Sequence, residues 1–343
     1  MGKGNLKPLA ILALCLGFFP FFVRSDYYLS IMIFIGINAI IVMGLSLLMG
    51  YAGQISLGHA AFFGIGAYCS GVLTVKFGFP AWTAFLSGIL LSGIMAILIA
   101  IPTLKLRGQY LAVATMGFGE IIYITFNDFL QITGGPSGLS GIPDLNFLGY
   151  VIKESIRYYY LVWAIAILFL LFSLNVIHSR VGRALRAIHG SDVAAAAMGV
   201  DVSWFKVQVF VLSAVYASVA GSLYAHFVTF ISPPTFGLFV SILLLMMVVI
   251  GGGGSLWGAL LGAGILTVLP EYLRAFKDFD VLVYGIILMS ILLFMPEGLL
   301  KGLTALLKWV GKRIFFRRGM TEKGKPWASR EIEGEKRFDQ SDF

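Results

Sequence analysis

The sequence predicts an all-α protein, a polytopic integral membrane bundle of about ten transmembrane helices. Composition is the first observation behind this prediction: 59% of the 343 residues are hydrophobic and only 12% are charged, against about 25% in soluble domains. The mean hydropathy of +0.91 is the second. The third is the length of the apolar runs, which suits helices of about 20 residues that cross a bilayer.

The apolar runs place the ten predicted spans at about 8–23, 28–49, 54–75, 80–101, 109–131, 158–178, 204–231, 236–250, 254–273 and 280–300. Lys3 and Lys7 precede the first run, as in a signal peptide, but no small-residue cleavage site follows it. We therefore expect an uncleaved first span. With the N-terminus inside, most Lys and Arg residues fall on the cytoplasmic side, so both termini are expected in the cytoplasm.

The chain is expected to form two parts. Residues 1–309 would form the transmembrane domain, with a periplasmic loop at 132–157 and a cytoplasmic loop at 179–203. Residues 310–343 form a charged cytoplasmic tail with mixed signs and few large apolar residues. In a membrane protein, the net charge of +8 indicates basic loops that face the anionic lipid bilayer rather than nucleic acid.

The segment at 50–68, G-Y-A-G-Q-I-S-L-G-H-A-A-F-F-G-I-G-A-Y, is long enough to lie in the membrane but differs from a simple anchor. Hydrocarbon cannot satisfy its polar side chains, Gln54, Ser56 and His59. Such a segment is stable only where neighbouring helices or a water-filled cavity meet its polar groups. It therefore predicts a transport pathway at Gln54, Ser56 and His59, although a hydrogen-bonded structural role is the commoner outcome for a histidine.

Glu120 lies near the centre of the predicted span at 109–131. Leaving a charged side chain there costs roughly 2.5–3.5 kcal/mol on insertion scales, so we expect the carboxylate to face the interior of the bundle. A role in lining or gating the pathway and a purely structural hydrogen bond explain Glu120 equally well.

Gly254, Gly258 and Gly262 recur every four residues, which places them on one helix face and lets a neighbouring backbone approach closely. We interpret them as helix-packing positions. The sequence at 253–262 also echoes that at 53–64, and each follows an apolar span. Transporters often carry internal repeats, but a shared need for small residues explains this echo equally well.

The cytoplasmic loop at 179–203 carries three arginines, three residues apart, and then an alanine run at 194–197 that favours a helix. Ser191 or Asp192 would cap this helix at its start, and Gly199 would end it. A short helix on the cytoplasmic face could dock on a soluble partner. An amphipathic helix that lies on lipid would have the same composition.

The sequence contains no recognisable catalytic motif. It has no G-x-x-x-x-G-K-[ST] phosphate loop, so this chain is not expected to hydrolyse ATP. It also has no G-x-S-x-G elbow, H-E-x-x-H motif or Cys/His cluster for a metal. A transporter remains the best prediction, and a proton-coupled secondary transporter or channel stays open on physical grounds.

Five blocks occur in order over residues 50–300: the segment at 50–68, T-G-G-P-S-G-L-S-G-I-P, R-A-L-R-A-I-H-G-S-D-V-A-A-A-A-M-G-V-D, G-G-G-G-S-L-W-G-A-L-L-G-A and F-M-P-E-G-L-L. Together they resemble the permease subunits of branched-chain amino acid ABC transporters, of the LivM type. The resemblance implies a heterodimer with a homologous second permease in a bacterial inner membrane. It also implies a periplasmic substrate-binding protein and two cytoplasmic ATPase subunits, which would bind ATP and Mg.

In importers of this kind an E-A-A-x-x-x-G element forms the helix that couples permease to ATPase. Ala194, Ala195 and Gly199 match this spacing beside Asp192, whereas Val193 stands where the glutamate would be. The coupling role is implied without the usual glutamate contact. The spans lack clusters of charge, which suits a small net-neutral solute. Resemblance narrows this solute to leucine, isoleucine and valine, with urea or short amides as the alternative.

Overall fold

The computed structural model describes residues 6–23, 25–103, 106, 108–147, 150–151 and 154–273, with five further residues at 285, 286, 289, 290 and 293. The predicted tail at 310–343 and most of the predicted span at 280–300 lie outside the described residues. The first compact unit, Met1–Leu300, contains every described residue.

The N-terminal half of the bundle consists of α1 (Leu6–Phe22), α2 (Asp26–Ser46), α3 (His59–Val75), α4 (Ala81–Thr103) and α5 (Gln109–Asp128). A π-helical turn, Leu47–Tyr51, extends α2. These helices follow the apolar runs because intrahelical bonds satisfy the backbone in a bilayer. One prediction is wrong: the predicted span at 54–75 begins with residues 54–58, which are not helical.

The C-terminal half consists of α6 (Leu130–Thr133), α7 (Ser155–His178), α8 (Arg180–Gly190), α9 (Asp192–Ala197), α10 (Val202–Val228), α11 (Leu238–Gly251) and α12 (Leu256–Leu273). Two antiparallel ladders of two residues add the only described strands. β1 (Leu139–Ser140) pairs with β4 (Phe230–Ile231), and β2 (Asn146–Phe147) pairs with β3 (Tyr150–Val151). Both ladders involve the predicted periplasmic loop, so the all-α prediction holds for the bundle itself.

The centre of the bundle is formed by α2, α3 and α10, which pack against one another and carry much of the buried core. Glycines permit the closest approach between the backbones of α3 and α10. A side chain on Gly221 of α10 would collide with the carbonyl of Phe63, and one on Gly66 of α3 would collide with the carbonyl of Ser218. The two backbones therefore touch where α3 and α10 cross, as small residues allow in membranes.

Six of the described helical segments are long and apolar enough to cross a membrane, and α1 and α3 add two shorter apolar helices. The chain is a multi-pass helical membrane protein. α5 is not among the six, although its 20 residues would suffice in length, because it is less apolar. By contrast, every exposed residue of α4 from 86 to 101 is Leu or Ile, as expected for a face in contact with lipid.

Candidate functional site

The central feature of the site is a break in the helical path between α2 and α3. The π-helical turn at Leu47–Tyr51 widens the end of α2, and the chain then runs through residues 53–58 without helical structure. Gly53 adopts a φ of +69°, which glycine tolerates without strain. π-helical turns inside longer helices often mark functional positions. We call residues 53–58 the broken segment.

His59 begins α3 and fastens the broken segment to α10. Its Nδ1 lies 3.0 Å from Oγ of Ser56, and its Nε2 lies 2.6 Å from Oγ of Ser213. All three residues are buried. Because a hydroxyl can donate or accept, the two serines satisfy both nitrogens of a neutral ring. This geometry gives His59 and Ser56 a positioning role at the start of α3.

The same segment is also bonded to α5. The backbone N–H of Leu57 donates to Oγ1 of Thr115 at 3.0 Å. One turn further along α5, a side chain on Gly119 would lie 3.6 Å from Cα of Gly58. The hydroxyl of Thr115, on another helix, thus accepts the hydrogen bond of a backbone N–H that has no partner within a helix. Irregular backbone in a membrane requires such a partner for each of its polar groups.

Gln54 is only 4% exposed, and its Oε1 has no hydrogen-bond partner in the described part of the chain. It lines a cavity of about 270 Å³ between the broken segment and the loop at 179–203. The polar residues that line this cavity with it are His189, Ser191, Asp192 and Lys206. An unpaired buried acceptor costs about 1–3 kcal/mol, so this cavity suits a hydrogen-bond donor such as water.

Glu120 does not lie inside this chain's bundle, and the prediction that it does is wrong. The side chain is exposed on the surface of the chain. The physical reason is that α5 packs only one face, with Leu111, Thr115 and Ile122, toward the rest of the bundle. The structure therefore brings Gln54, Ser56 and His59 together but leaves Glu120 on the outer face of α5.

The loop at 179–203, which the sequence predicts to be cytoplasmic, folds into two capped helices. The Ser179 hydroxyl accepts from the backbone N–H of Val181 at the start of α8, and the Ser191 hydroxyl accepts from that of Ala194 at the start of α9. Ser191, one of the two predicted caps, is thus the N-cap. Gly199 follows α9 with a φ of +81°, the left-handed conformation that ends helices.

The four residues with an implied coupling role face different ways. Ala194 and Gly199 are exposed, whereas Ala195 is buried against the bundle. The side chain of Asp192 turns inward and accepts from Nζ of Lys206 at 2.6 Å. The outer surface of α9 is instead apolar, with Val193 at 68% and Met198 at 84% exposure. We call Val193 and Met198, with the exposed alanines between them, the α9 surface.

The loop touches the broken segment directly. A side chain on Gly53 would lie 2.9 Å from Nδ1 of His189 and 3.6 Å from its Cα. His189 lies at the end of α8, next to the N-cap of α9. A displacement of α8 and α9 would therefore press on the broken segment at Gly53.

The glycine series after α11 divides in two. A side chain on Gly258 would collide with the carbonyl of Gly251, and one on Gly262 would collide with that of Met247, so α12 packs closely on α11 there. Gly254 does not share this face. It lies in the turn before α12 begins at Leu256, and a side chain on it would meet none of the described residues within 4 Å.

Three residues that the sequence did not single out complete the site: Thr115, Ser213 and Lys206. The two hydroxyls come from apolar spans, where many such residues only bond their own helix, so the pattern gives no signal. Lys206 gives no signal of its own among the basic residues of the sequence, but it lies in the first turns of α10 and is only 9% exposed. Within the described ranges no group of three or more His, Cys, Asp or Glu side chains could hold a metal ion.

The sequence is similar to known proteins over most of its length. The high-affinity branched-chain amino acid transport system permease protein LivM of Salmonella typhimurium is 32% identical over 322 residues, covering 87% of this chain and 75% of that protein. The LivM of Escherichia coli is 32% identical over 324 residues with the same coverage, 87% and 75%. A probable LivM of Methanocaldococcus jannaschii is 25% identical over 236 residues, 58% of this chain and 67% of that protein.

No solved structure matches the chain significantly. The model of a family described as the permease component of branched-chain amino acid transport systems matches residues 27–295. That match includes the broken segment, the cytoplasmic loop and the glycines of α12. The chain belongs to this family of transport-system permeases.

Proposed function

We propose that this chain is the membrane-spanning permease subunit of an ATP-driven ABC importer for leucine, isoleucine and valine. Family membership and the names of the relatives support the cargo. The observation that carries the mechanism is the contact of His189 with Gly53, because it joins a cytoplasmic loop to irregular backbone within the membrane. Movement of a partner bound to the loop would thereby reach the pathway.

The proposed importer needs subunits that this chain does not supply. Two cytoplasmic ATPase subunits bind ATP and Mg²⁺, and one of them docks on the α9 surface. A second, homologous permease subunit completes the pathway, and a periplasmic binding protein delivers the amino acid. In this arrangement the chain lies in a bacterial inner membrane with about ten spans and both termini in the cytoplasm, and the loop at 179–203 faces the ATPase.

The proposed roles of the individual residues follow from their positions. Gln54 and Glu120 contact the pathway, while Ser56 and His59 hold the broken segment in place. Asp192 and Ala195 fix α9 to the bundle, whereas Ala194 and Gly199 lie on its exposed side. Gly258 and Gly262 serve helix packing. The apolar α9 surface supports docking, since exposed apolar residues on a cytoplasmic loop suit a protein partner.

The test is reconstitution of the complete transporter in proteoliposomes, with uptake of radiolabelled leucine as the measurement. Uptake is expected only with ATP inside the vesicles on the ATPase side and with the loaded binding protein on the other. The purified chain alone is expected to hydrolyse no ATP. Flux that is independent of ATP would overturn the importer in favour of a secondary transporter or channel. Competition by urea but not by valine would keep the importer and overturn the cargo.

A further inference from the structure

We propose that one face of α5 forms a wall of the translocation pathway and that Glu120 binds the ammonium group of the amino acid as it passes. This proposal rests on the proposed function, because it requires a cargo with an ammonium group. It starts from five residues that share a stripe on α5: Gln109, Met116, Glu120, Tyr123 and Asn127. We call them the α5 stripe.

The spacing of the α5 stripe makes it continuous along the helix. Steps of seven, four, three and four residues return to the same side of a helix with 3.6 residues per turn. From Gln109 to Asn127 the stripe extends about 27 Å, at 1.5 Å per residue. The hydrocarbon core of a bilayer is about 30 Å thick, so the α5 stripe runs across nearly all of it.

The exposure of the α5 stripe is incompatible with lipid. Gln109, Met116 and Glu120 are exposed, and Tyr123 and Asn127 are half-buried. The neighbouring α4 offers the comparison, because its exposed positions from 86 to 101 are all Leu or Ile. Lipid can cover the face of α4, but it cannot satisfy a carboxylate and amides at membrane depth.

The occupant that fits this surface is the second permease subunit, with water between the two chains. A carboxylate at mid-depth is solvated where water reaches it, and Gln109, Tyr123 and Asn127 add hydrogen-bonding groups on either side of it along the helix. The position of the α5 stripe beside the broken segment also agrees with a role in the pathway. Gly119, which precedes Glu120, packs on Gly58 of the broken segment, so a movement of the loop would reach this part of α5.

The chemistry of Glu120 indicates which part of the cargo it contacts. A leucine zwitterion carries one ammonium and one carboxylate group, and only the ammonium is attracted to Glu120. Charge-assisted hydrogen bonds are roughly twice as strong as neutral ones, so the contact would hold the ammonium group at mid-depth. One acidic residue without a cluster of others attracts this group without retaining the net-neutral molecule strongly.

Cysteine labelling tests the pathway in the complete transporter. Cys15 and Cys69 are first replaced by alanine, and single cysteines are then placed at Gln109, Met116 and Tyr123, with Ile94→Cys on α4 as the matched control. A water-soluble methanethiosulfonate reagent reacts with thiolates, which form in water and not in lipid. Labelling on the α5 stripe is expected to be at least about tenfold faster than at Ile94→Cys, since burial in apolar surroundings suppresses the thiolate. Equal, slow labelling at all positions would overturn the pathway assignment.

Glu120→Gln tests the ammonium contact, with Asp128→Asn at the end of the same helix as the control. The rate of leucine uptake by the Glu120→Gln transporter is expected to fall about tenfold, because the substitution removes one charged hydrogen bond to the cargo. The subunits should still co-purify. Leucine should also slow the labelling of Tyr123→Cys, and Glu120→Gln should abolish this protection. Full uptake with intact protection would overturn the contact.

The same vesicles separate this proposal from the proposed function. If the unsubstituted transporter takes up no leucine with ATP and binding protein present, the proposed function fails first. If the transporter instead carries a solute without an ammonium group, such as urea, the Glu120 contact is overturned while labelling still reports on the pathway.

Discussion

The carbonyl of Gly253 occupies the space that a side chain on Gly50 would need. Gly50 lies in the π-helical turn after α2, and Gly253 lies in the turn between α11 and α12. The hydroxyl of Ser46 donates to the same carbonyl at 3.3 Å. The segment at 253–262 thus adjoins the turn that immediately precedes the segment at 53–64, whose sequence it echoes, and this contact supports the turn from which the broken segment starts.

Gly50→Ala is expected to destabilise the protein by about 1–3 kcal/mol, because the added methyl group must displace the backbone at Gly253. Gly93→Ala in α4 is the matched control. No atom of the residues that the structure describes lies within 4 Å of a side chain at Gly93, so alanine there should stabilise its helix by up to about 1 kcal/mol. Thermal unfolding of the solubilised complex measures both. Equal melting temperatures for the two variants would contradict the close contact.

Ser213→Ala is expected to lower the free energy of unfolding by about 1–3 kcal/mol, because it leaves Nε2 of the buried His59 without its hydrogen-bond partner at 2.6 Å. Leucine uptake should fall with it, since the ring no longer ties the broken segment to α10. Ser87→Ala is the control, because that hydroxyl only bonds the carbonyl of Thr83 in its own helix. Its effect should stay within about 0.5 kcal/mol, as for most surface changes. A Ser213→Ala variant that behaves like Ser87→Ala would show that His59 does not need this bond.

The helices could be predicted because apolar runs of membrane length leave the backbone few alternatives. α4 illustrates this: the sequence predicts 80–101 and the helix is Ala81–Thr103. The broken segment could not be predicted. Hydropathy does not separate a helix from extended backbone buried in protein, and the bond that decides the matter, from Leu57 to Thr115, joins residues 58 positions apart.

The position of Glu120 is a second feature that could not be predicted from the sequence. The cost of a carboxylate in lipid predicts that something covers it, but not whether the cover comes from this chain or from another. The sequence also predicted α9 and its caps correctly, since Ser191 and Gly199 act locally. It could not show that Asp192 reaches Lys206, because that contact depends on how α9 lies against α10.

Lys206→Met is expected to loosen α9 and to reduce ATP-coupled uptake. The ion pair with Asp192 is only 11% and 21% exposed at its two side chains, so the remaining carboxylate loses a charged hydrogen bond worth about 1.5–3 kcal/mol. The exposed pair of Arg157 and Glu154 is the control, and Glu154→Gln should cost no more than about 1 kcal/mol. Combining Lys206→Asp with Asp192→Lys should restore part of the uptake. Failure of this swap, with Lys206→Met fully active, would exclude a role for the pair.

Met198→Asp is expected to weaken binding of the ATPase subunit while the permease stays folded. Met198 is 84% exposed, so the fold does not depend on it, whereas an apolar docking contact loses affinity when a charge replaces it. A loss of at least about 1 kcal/mol, or fivefold in affinity, is typical of a residue at the centre of an interface. Met198→Leu keeps the apolar character and is the matched control. Ala195→Leu should instead disrupt the loop, because Ala195 is only 3% exposed. Two assays measure all three variants: co-purification of the ATPase subunit with the permease, and leucine uptake. Equal ATPase binding by Met198→Asp and Met198→Leu would mean that α9 lies on lipid rather than on the ATPase.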